Sequence, residues 1–483
     1  MSDLFSMAPT SLAEILAVLA PGWHMAGAER VLVDNVCIDS RQAGEGSLFV
    51  ALAGERTDGH NYVAAAVSGG ARLALVSRPV EGLACVDTVS RHAPALAEQP
   101  LALRVADTLT ALQGLARARR SALQGMQVIG ITGSVGKTTV KEAVAAVLGA
   151  RLQVLKSSGN HNNEIGLPLT LLTAKPLHQV AVLEMGMYQR GEIQTLCGIA
   201  HPDAGVVTNV RPVHLERLGS LEAIALAKAE LVDALPSTGW VVLNGDDPLV
   251  RQMRHRTSAR AVTYGRSEDA QVRLVDHLDR GLQGNRLTVQ ISADLAPGTI
   301  TLDTAMLGPA AVPAALAGIT VGLLMGLTGE EIQRGLLSLG QGLRLIARHR
   351  ADGTVILDDC YNASPESVKA ALALLRGLPG RRIAVLGDML ELGALELEGH
   401  RQVGQVAATA CDRLVTVGRR ARHIARAAAE SGLAPNAIVE TDDNAAVVAA
   451  LAQWVEPGDT VLVKGSRSMG MEAIVAALLE SVA

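Results

Sequence analysis

Apolar runs and amphipathic stretches alternate along most of the chain. In the middle of the sequence the apolar runs are MQVIGIT, VAVLEMG, AGVVTNV and WVVLNGDD, with helical stretches between them. The arrangement repeats further on with TVILDDCYN, RIAVLGDM, RLVTVG and TVLVKGSR. Such alternation predicts parallel sheets with helices on both faces. Each run also ends in polar residues. Because the carboxyl ends of strands bind ligands in open α/β sheets, we expect a ligand-binding edge on each sheet.

The pattern divides the chain into three predicted domains. Residues 1–106 combine short β-like runs such as VLVDNVCIDS, GSLFVAL and ARLALV with turn-rich segments. Residues 107–341 begin with an amphipathic helix and contain the first parallel sheet, and residues 342–483 contain the second. A chain of 483 residues suits three domains of about 150 residues each. The predicted fold class is α/β, with a small N-terminal α/β domain, a central P-loop domain with a parallel sheet and a C-terminal Rossmann-like domain.

One apolar segment raises the question of a membrane span. No charged residue occurs from Ala305 to Gly329, a length that is sufficient to cross a bilayer. The segment is rich in Ala and Gly, and Gly318, Gly322 and Gly326 recur at a spacing of four residues. Because flanking cations and aromatic belts are missing, we interpret it as a buried helix of a soluble protein. Its glycines would allow a neighbouring helix to approach closely.

Composition and charge exclude several classes of function. Hydrophobic residues make up 49% of the chain and aromatic residues 2%, so we expect cores built from Ala, Val, Leu and Ile. The net charge of -5, without a basic block, argues against nucleic acid as a partner. The five cysteines are far apart, which argues against disulfides and zinc and favours a reducing compartment. The N-terminus lacks a basic segment and predicts a first helix rather than a signal peptide, so we expect a cytoplasmic protein, and we also expect a monomer.

The strongest functional motif is the glycine-rich turn GSVGKTT at residues 133–139. It follows a predicted strand and precedes the predicted helix VKEAVAAVL, which is the context of a phosphate-binding loop. Backbone N–H groups would hold the polyphosphate, Lys137 would reach its β- and γ-phosphates, and the Thr138 hydroxyl would bind Mg²⁺. Ile131 stands where the eight-residue pattern expects its first glycine. The predicted nucleotide-binding residues of the loop are Gly133, Ser134, Val135, Gly136, Lys137, Thr138 and Thr139.

Neighbouring strand ends supply further candidate ligands. Glu184 ends the run VAVLEMG, and His214 and Glu216 follow the run that ends in Thr208 and Asn209. A carboxylate and a neutral imidazole suit a divalent ion beside the phosphates. Taken singly, each residue would more often be a structural polar residue. Their shared edge with the glycine-rich loop favours the metal site.

Longer motifs resemble the Mur ligase family, from about Cys37 to Met471. The motifs shared with the family at large are GSVGKTT, GNHNNEIG at residues 159–166, Glu184-Met185-Gly186, His214-Leu215-Glu216 and Ala227-Lys228-Ala229-Glu230. Members that join D-alanyl-D-alanine to UDP-N-acetylmuramoyl-tripeptide are similar in four further motifs: Asp39-Ser40-Arg41, DDCYNASP at residues 358–365, LGDMLELG at 386–393 and VKGSRS at 463–468. The Asp-Asn-Pro-Arg motif of members that add the third stem residue is absent.

The resemblance implies an ATP-dependent ligase of peptidoglycan precursor synthesis that forms an amide bond through an acyl phosphate. Residues 1–106 would bind the UDP end of UDP-N-acetylmuramoyl-tripeptide, 107–341 would bind ATP, and 342–483 would bind D-alanyl-D-alanine. The implied catalytic residues are Lys137, Glu184, His214 and Lys228, and the implied ligands of a pair of Mg²⁺ ions are Thr138, Glu184, His214 and Lys228. Asn163, Asp358 and Asn362 would join the loop in binding nucleotide, and Ser40, Arg41, Lys464, Ser466 and Arg467 would bind the substrates.

Lys228 matches a lysine that CO₂ converts to a carbamate in this family. A carbamate changes a cation into an anionic oxygen ligand, which suits a metal site. From the charge pattern of the helix SLEAIALAKAELVDAL alone, Lys228 would instead be an exposed lysine.

One segment departs from the family, and other functions stay open. Where the family carries Gly-x-His-Asn-x-x-Asn-Ala, residues 308–315 read GPAAVPAA, so we expect weaker ATP binding. A related ligase, such as one that adds glutamate to folate, is disfavoured by the N-terminal domain that resembles a UDP-binding domain. A non-catalytic binding protein is supported only by residues 308–315. A simple P-loop ATPase or GTPase would not need Glu184, His214 and Lys228 or a second α/β sheet.

Overall fold

A computed structural model describes residues 6–54, 57–94, 100–212, 218–339 and 345–480. In this part of the chain the strands form three sheets, and helices connect most parallel strands, so the predicted α/β class is confirmed. The Cα positions group the chain into two compact units. The first unit consists of Met1–Lys137, Arg151–Leu243 and Asp247–Val262, and the second of Thr138–Ala150, Asn244–Asp246 and Thr263–Ala483. The domain boundaries at residues 106 and 341 stay predictions.

The first sheet lies in the first unit. Its strands are β1 (Ser6–Ser11), β2 (Leu32–Cys37), β3 (Ser47–Val50), β4 (Ala71–Val76), β5 (Ala84–Asp87) and β6 (Leu101–Arg104), and its helices are α1 (Leu12–Leu19) and α2 (Val63–Ser68). The strand order is β1-β2-β3-β4-β6-β5, with β1 antiparallel to β2 and all other pairs parallel. The predicted first helix begins after Ser11, whose side chain accepts the Glu14 N–H while the Glu14 carboxylate accepts the Ser11 N–H.

The first unit also contains a fully parallel set of strands. They are β7 (Gln127–Thr132), β8 (Val154–Lys156), β9 (Val180–Glu184), β10 (Ala204–Val207) and β11 (Trp240–Asn244). Their order is β11-β10-β7-β9-β8. The helices that accompany them are α3 (Thr108–Ala122), α5 (Gly166–Leu172), α6 (Glu192–Ala200), α7 (Leu221–Asp233) and α8 (Pro248–Gln252), and α4 (Lys137–Gly149) follows β7 in the sequence. Arg120 fixes α3 by donating to the Ala200 carbonyl and the Asp203 carboxylate.

The strands that follow β11 in the sequence include antiparallel neighbours. β12 (Arg260–Gly265) crosses the boundary between the units in the sequence and pairs in parallel with β13 (Val272–Asp279). Strands β14 (Asn285–Ile291) and β15 (Gly298–Thr304) then continue as antiparallel neighbours. The strands of residues 107–341 therefore include both parallel and antiparallel pairs, whereas their sequence pattern predicted a parallel sheet. The connections from β13 to β14 and from β14 to β15 are too short for the helical crossovers that parallel strands need.

The glycine-rich apolar segment forms a buried helix in the second unit. Helix α9 (Val312–Leu324) packs on α4, and α10 (Gly329–Leu337) follows it. A Cβ on Gly318 would stand 3.3 Å from the Ala143 backbone, and one on Gly322 would stand 2.8 Å from Val147 Cγ1. The predicted close approach of a neighbouring helix is thus confirmed at Gly318 and Gly322. It is wrong for Gly326, which lies beyond the end of α9 and has no atom of the described residues within 4 Å of its Cβ position. Among the helices that the structure describes, none combines the length and apolar character that crossing a membrane requires.

The third sheet also belongs to the second unit. Its strands are β16 (Ile346–His349), β17 (Val355–Asp359), β18 (Arg382–Gly387), β19 (Arg413–Val417), β20 (Ile438–Thr441) and β21 (Thr460–Lys464). The order is β16-β17-β21-β18-β19-β20, with β16 antiparallel to β17 and the rest parallel. Its helices are α11 (Pro365–Gly377), α12 (Glu396–Ala410), α13 (Arg422–Glu430), α14 (Asn444–Trp454) and α15 (Glu472–Glu480). This arrangement places the ends of β17, β18 and β21, with their polar residues, on one edge.

Candidate functional site

The glycine-rich loop connects β7 to α4, as the sequence predicts, and two of its positions require glycine. Gly133 (φ 151°) and Gly136 (φ 82°) have backbone angles that L residues rarely adopt. A Cβ on Gly133 would also overlap the hydroxyl oxygen of Thr208. Because Thr208 directly follows β10, which pairs with β7, this glycine lets the loop pass against the neighbouring strand.

Asn209 holds the apex of the loop and was not among the predicted site residues. Its side-chain oxygen accepts the Val135 N–H (2.9 Å), and its Nδ2 donates to the Val135 carbonyl (2.8 Å). The Ser134 N–H donates to the Asn209 carbonyl (2.9 Å). The N–H groups of Ser134 and Val135 are therefore bound inside the protein, and a phosphate would meet the N–H groups from Gly136 onwards. The detectable signal was the position of Asn209 at the end of the strand beside β7.

Lys137 closes the loop on itself in this structure. Its Nζ donates to the carbonyls of Gly133 (2.9 Å) and Ser134 (3.3 Å). Thr138 and Thr139 follow in the first turn of α4, and both are partly buried. The ammonium is thus already positioned at the mouth of the loop, where it can exchange carbonyl oxygens for phosphate oxygens.

A buried carboxylate stands next to the strand that leads into the loop. Glu184, at the end of β9, is 2% exposed and lies opposite Ile131 of β7. Asn162 Nδ2 donates to Glu184 Oε1 (2.9 Å), and the Glu184 N–H donates to Ser157 Oγ (3.1 Å). These bonds orient the carboxylate at the carboxyl edge of the parallel strands, as the sequence predicts.

Asn163 lies in the turn just before helix α5. Its side-chain oxygen accepts the N–H groups of Ile165 (3.3 Å) and Gly166 (2.9 Å). This role is structural and leaves the amide nitrogen of Asn163 available for other contacts.

Lys228 is buried, contrary to what the charge pattern of its helix indicated. The residue is 2% exposed on α7, and no described residue forms a hydrogen bond or ion pair with its amine. Burial lowers the pKa of Lys228 well below its ordinary value of 10.5, and the charge of Lys137 lowers this pKa further. Burial and the charge of Lys137 therefore both disfavour the charged form of this amine.

The predicted metal set cannot be assembled from the described residues alone. His214 and Glu216 lie outside the residues that the structure describes. Among those it does describe, no group of three or more His, Cys, Asp or Glu side chains is arranged to hold a metal ion. The ligand set of Thr138, Glu184, His214 and Lys228 stays a prediction.

The substrate residues predicted in the N-terminal sheet lie on a short turn after β2. Ser40, Arg41 and Gln42 form one turn of 3-10 helix, which the Asp39 carboxylate begins by accepting the Arg41 N–H (3.0 Å). The Arg41 guanidinium also binds this carboxylate through Nε and Nη2. Hydrogen bonding from Arg41 lowers the pKa of Asp39. The turn therefore presents an exposed guanidinium next to a half-exposed hydroxyl.

In the third sheet, Lys464 forms a buried ion pair. It is 2% exposed, and its Nζ donates to Asp359 Oδ2 (2.7 Å) and to the Asn362 carbonyl (2.9 Å). Because Lys464 ends β21 and Asp359 ends β17, the pair ties the segment after β17 to its neighbouring strand. Asp358 Oδ2 contacts Arg348 Nε (3.2 Å), and the side chain of Asn362 is exposed.

Ser466 and Arg467 differ in what their side chains contact. The Ser466 hydroxyl is buried and accepts the Leu390 N–H (2.9 Å), which ties the loop after β21 to the loop after β18. Arg467 is exposed, with its guanidinium over the Tyr361 ring at 5.6 Å and 3.4 Å from Glu472 Oε1. The three predicted substrate residues of this edge therefore lie in one place, but Arg467 is the exposed one.

The segment that departs from the family is fixed by other residues. Residues 309–311 form a 3-10 turn, and α9 begins at Val312. Asn285, which is fully buried, donates from Nδ2 to the carbonyls of Met306 (2.7 Å) and Gly308 (3.1 Å). The turn is therefore ordered by a side chain of β14, while residues 308–315 carry no hydrogen-bonding side chain of their own.

The sequence similarity to known proteins extends over all three sheets. The sequence matches the Mur ligase family catalytic domain over residues 32–120, the Mur ligase middle domain over 131–322 and the "Mur ligase, glutamate ligase domain" over 343–467. The UDP-N-acetylmuramoyl-tripeptide--D-alanyl-D-alanine ligase of Bacillus subtilis (strain 168) is 37% identical over 457 residues, which cover 94% of each chain.

Two solved structures resemble this chain over nearly their full length. MurF from Acinetobacter baumannii superposes with a TM-score of 0.85 at 29% identity, covering 98% of this chain and 100% of that one. The MurF ligase from Thermotoga maritima, in complex with ADP, superposes with a TM-score of 0.75 at 28% identity, covering 93% and 98%.

Proposed function

This chain belongs to the Mur ligase family, and we propose that it joins D-alanyl-D-alanine to UDP-N-acetylmuramoyl-tripeptide with ATP, through an acyl phosphate. The relative from Bacillus subtilis carries this activity in its name, and the similarity spans 94% of both chains. The product would be a precursor of peptidoglycan.

The observation that carries the proposal is the group of residues around the glycine-rich loop. Within the first unit, the loop up to Lys137 is held by Asn209, and the buried Glu184 ends the adjacent strand. Lys228 is buried, and its pKa is lowered by burial and, second, by the charge of Lys137. A carboxylate at a neighbouring strand end also holds Mg²⁺ in P-loops that only hydrolyse nucleotide, whereas such P-loops do not require a buried lysine beside the loop.

The loop would hold the polyphosphate of ATP by its backbone. Gly136, in the left-handed conformation, and the N-terminus of α4 direct N–H groups outwards, which favours an anion. Lys137 would exchange its bonds to the Gly133 and Ser134 carbonyls for bonds to phosphate oxygens. The ADP bound to the Thermotoga maritima relative supports a nucleotide in this fold.

The donor types also fit Mg²⁺, which prefers oxygen ligands. Thr138 supplies a hydroxyl, Glu184 a buried and oriented carboxylate, and His214 would complete the set. The metal charge would offset the repulsion between ATP and the substrate carboxylate.

We also propose that Lys228 carries a carbamate. CO₂ reacts with a neutral amine, and a buried lysine without a carboxylate partner among the described residues favours the neutral form. The carbamate would present an anionic oxygen pair in place of a cation. A cation there would be repelled by Lys137 and by bound metal.

The reaction follows from the charges of its partners. A substrate carboxylate oxygen attacks the γ-phosphorus of ATP, and ADP leaves. The ammonium group of the dipeptide loses one proton to the solution, and the resulting free amine attacks the carbonyl carbon. Phosphate then leaves with the carboxylate oxygen that it gained, together with the second proton that the nitrogen gives up as the amide forms. Lys137 would stabilise the charge on the transferring phosphoryl group. Water must be excluded, because it would hydrolyse the acyl phosphate.

The three predicted domains would divide this work. Residues 1–106 would bind the UDP end near Ser40 and Arg41, residues 107–341 would bind ATP, and residues 342–483 would bind the dipeptide. Four of the five cysteines are buried and all are free, which suits a reducing compartment, so we propose that the enzyme is cytoplasmic. That it is a monomer stays a prediction.

The decisive experiment is phosphate release by the purified protein with ATP and Mg²⁺. UDP-N-acetylmuramoyl-tripeptide and D-alanyl-D-alanine are each omitted in turn, and the product is identified by mass. We expect stoichiometric phosphate and dipeptide adduct only with both substrates. Equal phosphate release without either substrate would instead identify a simple ATPase, and product from glutamate and folate would identify a related ligase.

A further inference from the structure

Glu391, in the loop after β18, has a left-handed backbone (φ 63°) although it is not glycine. This conformation brings Cβ against the following carbonyl and costs backbone energy. Residues held in this way are frequent at functional sites. The side chain is exposed, and no described residue pairs with its carboxylate. Because glycine would adopt this backbone without strain, packing gives no reason for a glutamate here.

The surrounding structure holds the loop of Glu391 from two sides. The Met389 N–H donates to His400 Nε2 (3.1 Å), and the Leu390 N–H donates to Ser466 Oγ (2.9 Å). The Asp388 carboxylate, one residue earlier, accepts the Ala421 N–H (2.7 Å). The strained backbone is therefore fixed before any ligand binds, and the Glu391 carboxylate is presented at the edge of the third sheet.

Arg467 lies on the loop that is tied to the loop of Glu391. Glu391 directly follows Leu390 and Arg467 directly follows Ser466, so two exposed side chains of opposite charge flank one hydrogen bond. Tyr361 lies beneath the Arg467 guanidinium. The Arg467 guanidinium also lies 3.4 Å from the carboxylate of Glu472, and the side chains of Arg467 and Glu472 are 65% and 53% exposed. An ion pair this exposed is weak and easily replaced.

Two other polar side chains of this edge are committed to internal contacts. Lys464 is bound to Asp359 and to the Asn362 carbonyl, and the Ser466 hydroxyl accepts the Leu390 N–H. These two residues therefore fix the loops after β17 and β18. Arg467 and Glu391 are instead exposed charged side chains on two loops that one hydrogen bond ties together.

We propose that Arg467 binds the terminal carboxylate of the incoming dipeptide and that Glu391 binds its ammonium group. A dipeptide is a zwitterion whose two charges lie at most about 7 Å apart, a distance that two long side chains on adjacent loops can span. A guanidinium matches a carboxylate with two parallel hydrogen bonds. Lys464 and Ser466 are positioning residues that do not touch the dipeptide. This assignment rests on the proposed function.

The test uses the full-length enzyme and analogues that lack one charge. Arg467→Gln is expected to raise the KM for D-alanyl-D-alanine about tenfold to a hundredfold, with little effect on the kcat/KM for the dipeptide amide. Glu391→Gln is expected to raise the KM for D-alanyl-D-alanine to a similar extent, and to leave the inhibition constant of N-acetyl-D-alanyl-D-alanine unchanged. The KM values for ATP and for the UDP substrate should not move in either variant.

Glu391→Gly separates binding from folding. Glycine relieves the left-handed strain, so this variant should melt at the same or a higher temperature while its KM for the dipeptide rises as in Glu391→Gln. Arg426→Gln and Glu480→Gln remove exposed charges on α13 and α15 and are matched controls that should retain wild-type kinetics.

The outcomes distinguish this assignment from the proposed function. Wild-type protein that forms no dipeptide adduct overturns the proposed function and this assignment with it. A wild-type adduct together with unchanged dipeptide KM values in Arg467→Gln and Glu391→Gln overturns the assignment alone. Equal losses toward the dipeptide and the analogue that lacks the matching charge also overturn it, because the effect would then not depend on that charge.

Discussion

Replacing Asn209 by alanine should weaken ATP binding without unfolding the protein. The change removes two hydrogen bonds, from the Val135 N–H to the side-chain oxygen (2.9 Å) and from Nδ2 to the Val135 carbonyl (2.8 Å). Each bond between neutral groups contributes about 0.5–1.5 kcal/mol, so the loop loses about 1–3 kcal/mol of support. If that free energy holds the loop in its binding conformation, the KM for ATP rises about fivefold to 150-fold.

The assay is steady-state phosphate release with ATP varied at saturating levels of both other substrates. Asn209→Asp should be worse than Asn209→Ala, because its second carboxylate oxygen faces the Val135 carbonyl oxygen and approaches the phosphates. Asn61→Ala is the matched control, since Asn61 is exposed and accepts one long bond of 3.5 Å from Arg78. An unchanged KM for ATP in a folded Asn209→Ala enzyme would refute the role of Asn209 in holding the loop.

Four further results are expected. Lys137→Ala should abolish turnover while its circular dichroism stays that of the wild type, and near-normal product formation would contradict the phosphate role. Lys228→Ala should be nearly inactive, and a small carboxylic acid should partly restore its activity but should not restore that of Lys228→Gln. Full activity of Lys228→Ala in CO₂-depleted buffer would argue against the carbamate. Because the pKa of Lys228 is lowered, the unfolded state binds more protons between that lowered pKa and 10.5. In CO₂-free buffer the free energy of unfolding should therefore rise with pH through this window, and Lys228→Met, compared by denaturant titration, should lack that component. Calorimetry should show that ATP binding requires Mg²⁺. The affinity for ATP should be about tenfold to a hundredfold lower than that of relatives that carry His and Asn in the segment matching residues 308–315. An affinity equal to that of these relatives would mean that other residues supply the missing contacts.

The parallel strands were predictable because their signal is local. An apolar run that ends in polar residues and is followed by a helix occurs at β7, β9 and β10, and again at β17, β18 and β21. The antiparallel strands β13 to β15 were missed. The burial of β13 falls off after Leu274, where the register with β14 shifts, so its pattern is neither a continuous apolar run nor a regular alternation. Pairing of such a strand is decided by neighbours elsewhere in the sequence.

The parts of the site that depend on unusual backbone angles were predictable, because those angles require particular residue types. Gly133 and Gly136 mark positions where other residues would be strained, so their spacing before Lys137 locates the loop. Asn209 was missed because asparagine at a strand end has many structural uses. Its function depends on contact with Val135, which is 74 residues away in the sequence. The burial of Lys228 was likewise hidden, because the packing of α7 and not its charge pattern determines exposure.

Lys464 and Arg467 belong to the same motif shared with the family, but their surroundings in the structure differ. Lys464 is buried, so its removal leaves the Asp359 carboxylate buried without its partner, which costs about 3–5 kcal/mol. Arg467 is exposed, and its loss removes a contact without stranding a buried charge. Lys464→Met and Arg467→Gln should therefore both lower activity, yet only the former should lower the melting temperature substantially. A motif records which residue type stands at a position. Whether that residue acts on the substrate or on the protein is decided by where its hydrogen bonds go.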